Sequence, residues 1–231
     1  MSVRSRVAFA SGAAGVVGAT LLISGRYEGS IVLALLLAVS IRTAALGVLV
    51  GAGPILAGGA ARALRARAWL APAWAIALAA VVARTGSTAL ADVRGGNAVI
   101  GPALFNGPAL TVAGTWLAFA AAGIALIART PIGAETAAGR AAAGRVVPPA
   151  AVTRLEAIGV LAEAALIVSL FIGPQVVDGV DAAWWAGGIV ALLAAAWYGR
   201  RVRLLMPFSL PVVAGAIATG GLVLVSLGGK P

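Results

Sequence analysis

Residues Leu155 to Gly173 read LEAIGVLAEAALIVSLFIG, an apolar run interrupted by two acids, Glu156 and Glu163. A transmembrane helix needs about 20 predominantly apolar residues, so this run is a candidate to cross a bilayer. Glu163 follows Arg154 by nine residues, which on a helix sets it roughly 13 Å deeper, near the middle of a core about 30 Å thick. A carboxylate there is costly, so it is protonated, paired, or faces a polar cavity. Two readings fit the residue type: a proton-relay acid, and a neutral strut hydrogen-bonded between helices. Glu156 lies two residues after Arg154, where an acid is more often solvated in the first helical turn.

Outside that run the chain repeats one plan, in which apolar stretches alternate with short, mostly basic loops. Of 231 residues, 61% are hydrophobic and 10% charged, and the mean hydropathy is +1.05. No soluble domain of this size tolerates such a surface. The sequence therefore predicts an all-α, polytopic transmembrane bundle of about seven spans, forming one integral membrane domain over 1–231. The spans are expected near 7–25, 30–59, 69–83, 108–128, 155–173, 183–199 and 204–228. A re-entrant or broken segment is expected at 99–106, because Gly101-Pro102 and Asn106-Gly107-Pro108 interrupt the fourth run and backbone freed by proline must be satisfied inside protein. Trp69 and Trp74 fit an interfacial belt at the start of the third span. Read as a signal peptide, the first run would have Arg4 and Arg6 as its basic region, but no convincing small-x-small cleavage site follows and the remainder would be a membrane protein anyway.

The loops set the orientation. With a cytoplasmic N-terminus, one side receives Arg4, Arg6, Arg62, Arg65, Arg67, Arg129, Arg140, Arg145, Arg154, Arg200, Arg201 and Arg203. The other side receives Arg26, Arg84, Arg94 and Lys230, together with Glu28, Asp92, Asp178 and Asp181. This asymmetry obeys the positive-inside rule across all seven proposed spans, in a cytoplasmic (inner) membrane. An odd span count also argues against two equal inverted halves, a common transporter plan.

Composition excludes several chemistries. With no histidine and no cysteine, the chain offers no bis-histidine haem, histidine zinc site, iron–sulfur ligation, disulfide or Ser-His-Asp triad. Its acids are dispersed, so none cluster for a divalent metal. The formal net charge of +10 is spread between apolar runs, which suits a topological role better than nucleic-acid contact.

Two further polar residues stand out. Arg42 is a basic residue deep inside an apolar run; it either pairs with Glu163 across the bundle or snorkels, if the second run is two pieces joined near Ser40. Asn106 is a pore-lining candidate, or the site of a helix break that satisfies its own backbone. Gly12, Gly15 and Gly18, and Gly215 with Gly220-Gly221, permit close helix packing, although an Ala/Gly-rich chain shows such spacings by composition alone.

The loop Arg129-Thr130-Pro131-Ile132 followed by Glu135 resembles the cytoplasmic "Arg-x-Pro-Phe/Ile/Val-Asp … Glu" loop in subunit one of respiratory complex I. The same loop occurs in its membrane-bound hydrogenase relatives, the formate hydrogenlyase membrane subunits. The helix from Arg154-Leu155-Glu156-Ala157, the loop Tyr198-Gly199-Arg200-Arg201-Val202-Arg203-Leu204, and Gly53-Pro54-Ile55-Leu56-Ala57-Gly58 with Arg62 to Arg67 are similar to further parts of that family. Together these matches cover about half the chain. Gly133 stands where the family has an aspartate, and of its loop glutamates only Glu135 has a counterpart. The resemblance implies a non-catalytic anchor for a hydrogenase-like or quinone-reductase-like peripheral arm. Arg129, Pro131, Glu135, Arg154, Arg200, Arg201 and Arg203 would dock partner subunits. Glu163, Arg42 and Glu156 would be the proton-path candidates. On this reading the chain binds no cofactor itself, a quinone sits at a subunit interface, and the partners are membrane lipid and other membrane and peripheral subunits. Two other classes stay open: a small secondary transporter or channel lined by Arg42, Asn106 and Glu163, and a structural or assembly membrane protein.

Overall fold

The computed structural model describes residues 10–18, 29–50, 54–93, 104–129, 150–172, 186–195 and 209–228, with single positions at 7, 183 and 198. Within these ranges the side chains at 38, 42, 49–50, 54–67, 128–129, 150–153, 156 and 209 lie outside the description. The described chain is helical: α1 (10–18), α2 (Ile31–Val50), α3 (Pro54–Thr85), α4 (Ala109–Arg129), α5 (Ala150–Phe171), α6 (Ala186–Ala195) and α7 (Ser209–Gly228). Within α2, α3, α4 and α7, the stretches Ile31–Val48, Ala68–Thr85, Ala109–Ile127 and Leu210–Gly228 are long and apolar enough to cross a membrane. The apolar parts of α5 and α6, Ala157–Phe171 and Ala186–Ala195, are shorter. The protein is a helical membrane protein on these grounds, with large apolar side chains such as Leu36, Val212 and Val223 exposed on its outer surface.

Local chemistry sets the helix ends. Ser30 caps α2, its hydroxyl accepting from the Leu33 amide at 3.1 Å. The second run does not break at Ser40, because the Ser40 and Thr43 hydroxyls fold back onto the Leu37 and Val39 carbonyls and the helix continues through Arg42 to Val50. Helix α2 ends at Val50 and α3 begins at Pro54, where the missing proline N–H is not needed. A second difference follows. Arg62, Arg65 and Arg67, expected in a loop, are helical, since α3 runs unbroken through them and through Pro72. Its 32 residues span about 48 Å, well beyond a core of about 30 Å. At the far end Gly86, with φ 69°, donates its amide to the Val82 carbonyl at 2.8 Å, a left-handed stop that glycine adopts without strain.

The ends of α2 and α3 are tied together. Ser30 and Ala89 form an antiparallel bridge, with the Ile31 amide donating to the Thr88 carbonyl and the Leu90 amide to the Gly29 carbonyl, both at 2.9 Å. Ser87 donates to Asp92 and accepts from the Ala89 amide, closing this turn.

Packing relies on small residues, because lipid supplies no hydrophobic drive between helices and backbones gain by close approach. The most extensive contact is between α4 and α7. A methyl group at Gly114 would lie 2.6 Å from the Gly221 carbonyl oxygen and 2.7 Å from the Val225 amide. At Gly221 it would lie 2.7 Å from the Gly114 oxygen, and at Gly228 2.7 Å from the Thr111 amide. Numbers rise along α7 as they fall along α4, so the two helices are antiparallel and in backbone contact. α3 packs against both. On the other side α1 lays Gly12, Gly15 and Gly18 against Ala44, Ser40/Ile41 and Leu37 of α2, again antiparallel, and Gly12 also meets Leu155 of α5. α5 packs on α2 and touches α4, and Gly188 of α6 rests on Val168 of α5.

Trp69 and Trp74 separate. Trp69 is 74% exposed, whereas Trp74 is 2% exposed and belongs to the core. Five residues on a helix turn through about 140°, so the two rings cannot share one surface; the interfacial reading holds no longer for Trp74.

Candidate functional site

α5 changes character along its length. Arg154, Ala157, Ile158 and Leu161 are exposed, whereas every residue from Glu163 to Phe171 is buried. Two and a half turns without an exposed position mean that neighbours cover the helix on all sides, here α2, α4 and α6. Glu163 is fully buried at the start of this enclosed segment, about 13 Å along the helix from the exposed Arg154. It lies beside Val160, Ala164, Ile167 and the rest of the apolar cluster. Such a carboxyl group can brace helices through hydrogen bonds or carry a proton.

The remaining proton-path candidates sit nearby in the fold. α2, which carries Arg42, packs directly on α5, which carries Glu163 and Glu156. The side chains of Arg42 and Glu156 lie outside the described residues. Arg129 closes α4, its side chain likewise outside the description, and Arg154 is exposed in the second turn of α5. Pro131, Glu135, Arg200, Arg201 and Arg203 lie outside the described residues.

A second polar cluster joins α3 to α4. Arg84, expected in a loop, is in the last turn of α3. Its guanidinium donates to the Asn106 carbonyl oxygen through Nη2 at 2.8 Å and to Thr115 Oγ1 through Nη1 at 3.3 Å. The Thr115 hydroxyl donates onward to the Thr111 carbonyl at 2.7 Å. Asn106 therefore stands in the turn before α4, half-buried, and its carbonyl accepts from an arginine of another helix. The turn reverses at Gly107, whose φ is 126°, and α4 starts with the Val112 amide donating to the Pro108 carbonyl. Leu104 points into the core. Phe105 points outward and meets Trp116 edge-on at 5.6 Å, continuing through Phe119 to the buried Phe171.

Sequence reasoning missed Arg84, yet a signal was present. Leu70, Ala73/Trp74, Ala77, Ala80/Val81 and Arg84 recur at three- and four-residue intervals, and the first six lie on the buried face of α3. Among the described residues no three acids, histidines or cysteines come together as a metal site would require. Comparison with protein-family models gave no match, and comparison with curated proteins gave none.

Proposed function

We propose that the chain is a non-catalytic, multi-pass subunit of the cytoplasmic membrane that anchors the peripheral arm of a respiratory oxidoreductase or hydrogenase-like complex. One observation carries this reading. Residues 54–67 extend α3 as helix for about 21 Å before its membrane-length stretch begins at Ala68, and they carry Arg62, Arg65 and Arg67. Arg84 ties the opposite end of α3 to the start of α4, so this basic extension and the C-terminal end of α4 at Arg129 share one end of the bundle. Leu155 meets Gly12 beside Ala44, in the second half of α2, which brings Arg154 toward that same end. A rigid basic helix leaving the membrane next to further arginines suits a soluble partner with an acidic face. We read the chain as seven spans with a cytoplasmic N-terminus, and the alternating directions of α1 to α4 support the alternation of the first four. In this scheme redox centres belong to partner subunits, Glu163 serves a proton or quinone path, and the loop from Arg129 through Pro131 and Glu135 contributes to docking.

Purification from native membranes in mild detergent tests the proposal. Stoichiometric co-elution with iron–sulfur- or nickel-containing subunits is the expected result. A stable isolated chain that moves a solute into liposomes would overturn it in favour of a secondary transporter.

A further inference from the structure

Two stripes run along α3, and its basic residues divide between them. Leu70, Trp74, Ala77 and Val81 form the buried stripe, and position 67 continues it one turn before Leu70. On the other side Trp69 and Pro72 are exposed and Ile76 is half-buried. Position 65 heads this outward stripe, four, seven and eleven residues before them. Two residues along a helix turn it through about 200°, so positions 65 and 67 lie on opposite sides of α3. Depth separates the arginines further. The membrane-length stretch starts at Ala68, and the headgroup layer of a bilayer is about 5–7 Å deep on each side. Position 65 is about 4.5 Å outside Ala68, within that layer, whereas position 62 is about 9 Å outside and beyond it. Trp69 lies at the boundary, where an exposed indole with an apolar body and a polar N–H is well placed. Between Glu28 and Asp92 the sequence has no acidic residue, so neither α2 nor α3 supplies a carboxylate for Arg65. The bilayer supplies an anion at this depth, the phosphodiester of its own lipids.

We propose that Arg65 and Trp69 form a site for the headgroup of an anionic phospholipid, in the leaflet at the Pro54 end of α3. The guanidinium fork matches two phosphate oxygens at once, and the indole one turn further on covers the boundary between headgroup and acyl chain. A zwitterionic lipid carries the same phosphate but brings its own ammonium beside it, which offsets the attraction; an anionic lipid does not. The inference rests on α3 crossing a membrane and not on the complex proposed above, because it needs no partner chain. Arg62, beyond the phosphates, is left to the docking of a soluble protein.

The full chain is reconstituted in phosphatidylcholine vesicles that contain a small, equal mole fraction of either brominated phosphatidylglycerol or brominated phosphatidylcholine. Quenching of Trp69 is read as the difference between each protein and its Trp69→Phe counterpart. Phosphatidylglycerol should quench Trp69 as though enriched about fivefold around it, the factor expected of one arginine near the surface. Arg65→Gln should bring the two lipids level. Arg67→Gln removes the same charge within the same layer but on the opposite stripe, and should leave the enrichment in place. The comparison of the two lipids on the unsubstituted chain stands without any variant, so a misfolded variant does not rescue the site. Equal quenching by the two lipids overturns it. So does an equal fall in Arg65→Gln and Arg67→Gln, which would mark a general attraction to positive charge.

Discussion

Gly114→Ala is the sharpest test of how this bundle is held together. The added methyl would lie 2.6 Å from the Gly221 oxygen and 2.7 Å from the Val225 nitrogen. Both are backbone atoms of α7, so no rotamer change relieves the contact, and the helices must part by about 0.8 Å to restore ordinary van der Waals distances. Close-packed carbon pairs contribute roughly 0.1–0.2 kcal/mol each, and a gap of that size forfeits about a quarter to a half of it. Over the tens of pairs along the Thr111–Gly228 and Ala118–Gly221 seam, the loss comes to about 2–3 kcal/mol, in the range of other overpacked cores. Replacing glycine by alanine in a helix returns about 1 kcal/mol, leaving a net destabilisation of about 1–2 kcal/mol. Gly215→Ala is the matched control, because nothing lies within 4 Å of a methyl there; it should stabilise by about 0.5–1 kcal/mol. Equilibrium unfolding in mixed micelles, followed by circular dichroism, measures both. If the two substitutions shift the midpoint in the same direction, backbone contact between α4 and α7 does not hold the bundle.

Trp74→Ala should destabilise by about 3–5 kcal/mol, as a buried aromatic does, and Trp69→Ala by under about 0.5 kcal/mol; in single-tryptophan variants, brominated lipid should quench Trp69 and spare Trp74. Gly107→Ala forces a side chain into a φ of 126°, which should lower stability by about 1–3 kcal/mol, and an unchanged melting temperature would remove the reversal at Gly107. Glu163→Gln keeps shape and hydrogen-bonding capacity, so stability should change by less than about 1 kcal/mol, while proton movement by the reconstituted complex should be abolished; intact proton movement removes the relay role and leaves the anchor.

Much of the architecture was legible because it is local. Uninterrupted apolar length marks the helices able to cross a bilayer, and the Gly107-Pro108 pair sets the start of α4, since proline cannot continue a helix begun before it. Trp74 and Arg84 were misread by attention to residue type over spacing, for their three- and four-residue intervals already placed them on the face of α3 that carries Leu70 and Ala77. The start of α3 at Pro54 was likewise present in the sequence but obscured by arginines, which read as a loop although arginine is a good helix former.

The sequence by itself determined a helical membrane protein, the depth of Glu163 along its helix, and the absence of histidine and cysteine chemistry. Only the tertiary structure decided which faces are inside. In a membrane, lipid and protein interiors are equally apolar, so α5 has no polar face to distinguish a lipid-facing helix from an enclosed one. The burial of Glu163 through Phe171 comes from the helices that surround them. Likewise a glycine that permits contact and one that meets nothing look alike in sequence. Gly221 and Gly215 lie on one helix, and only the approach of α4 makes the first indispensable and the second free to change.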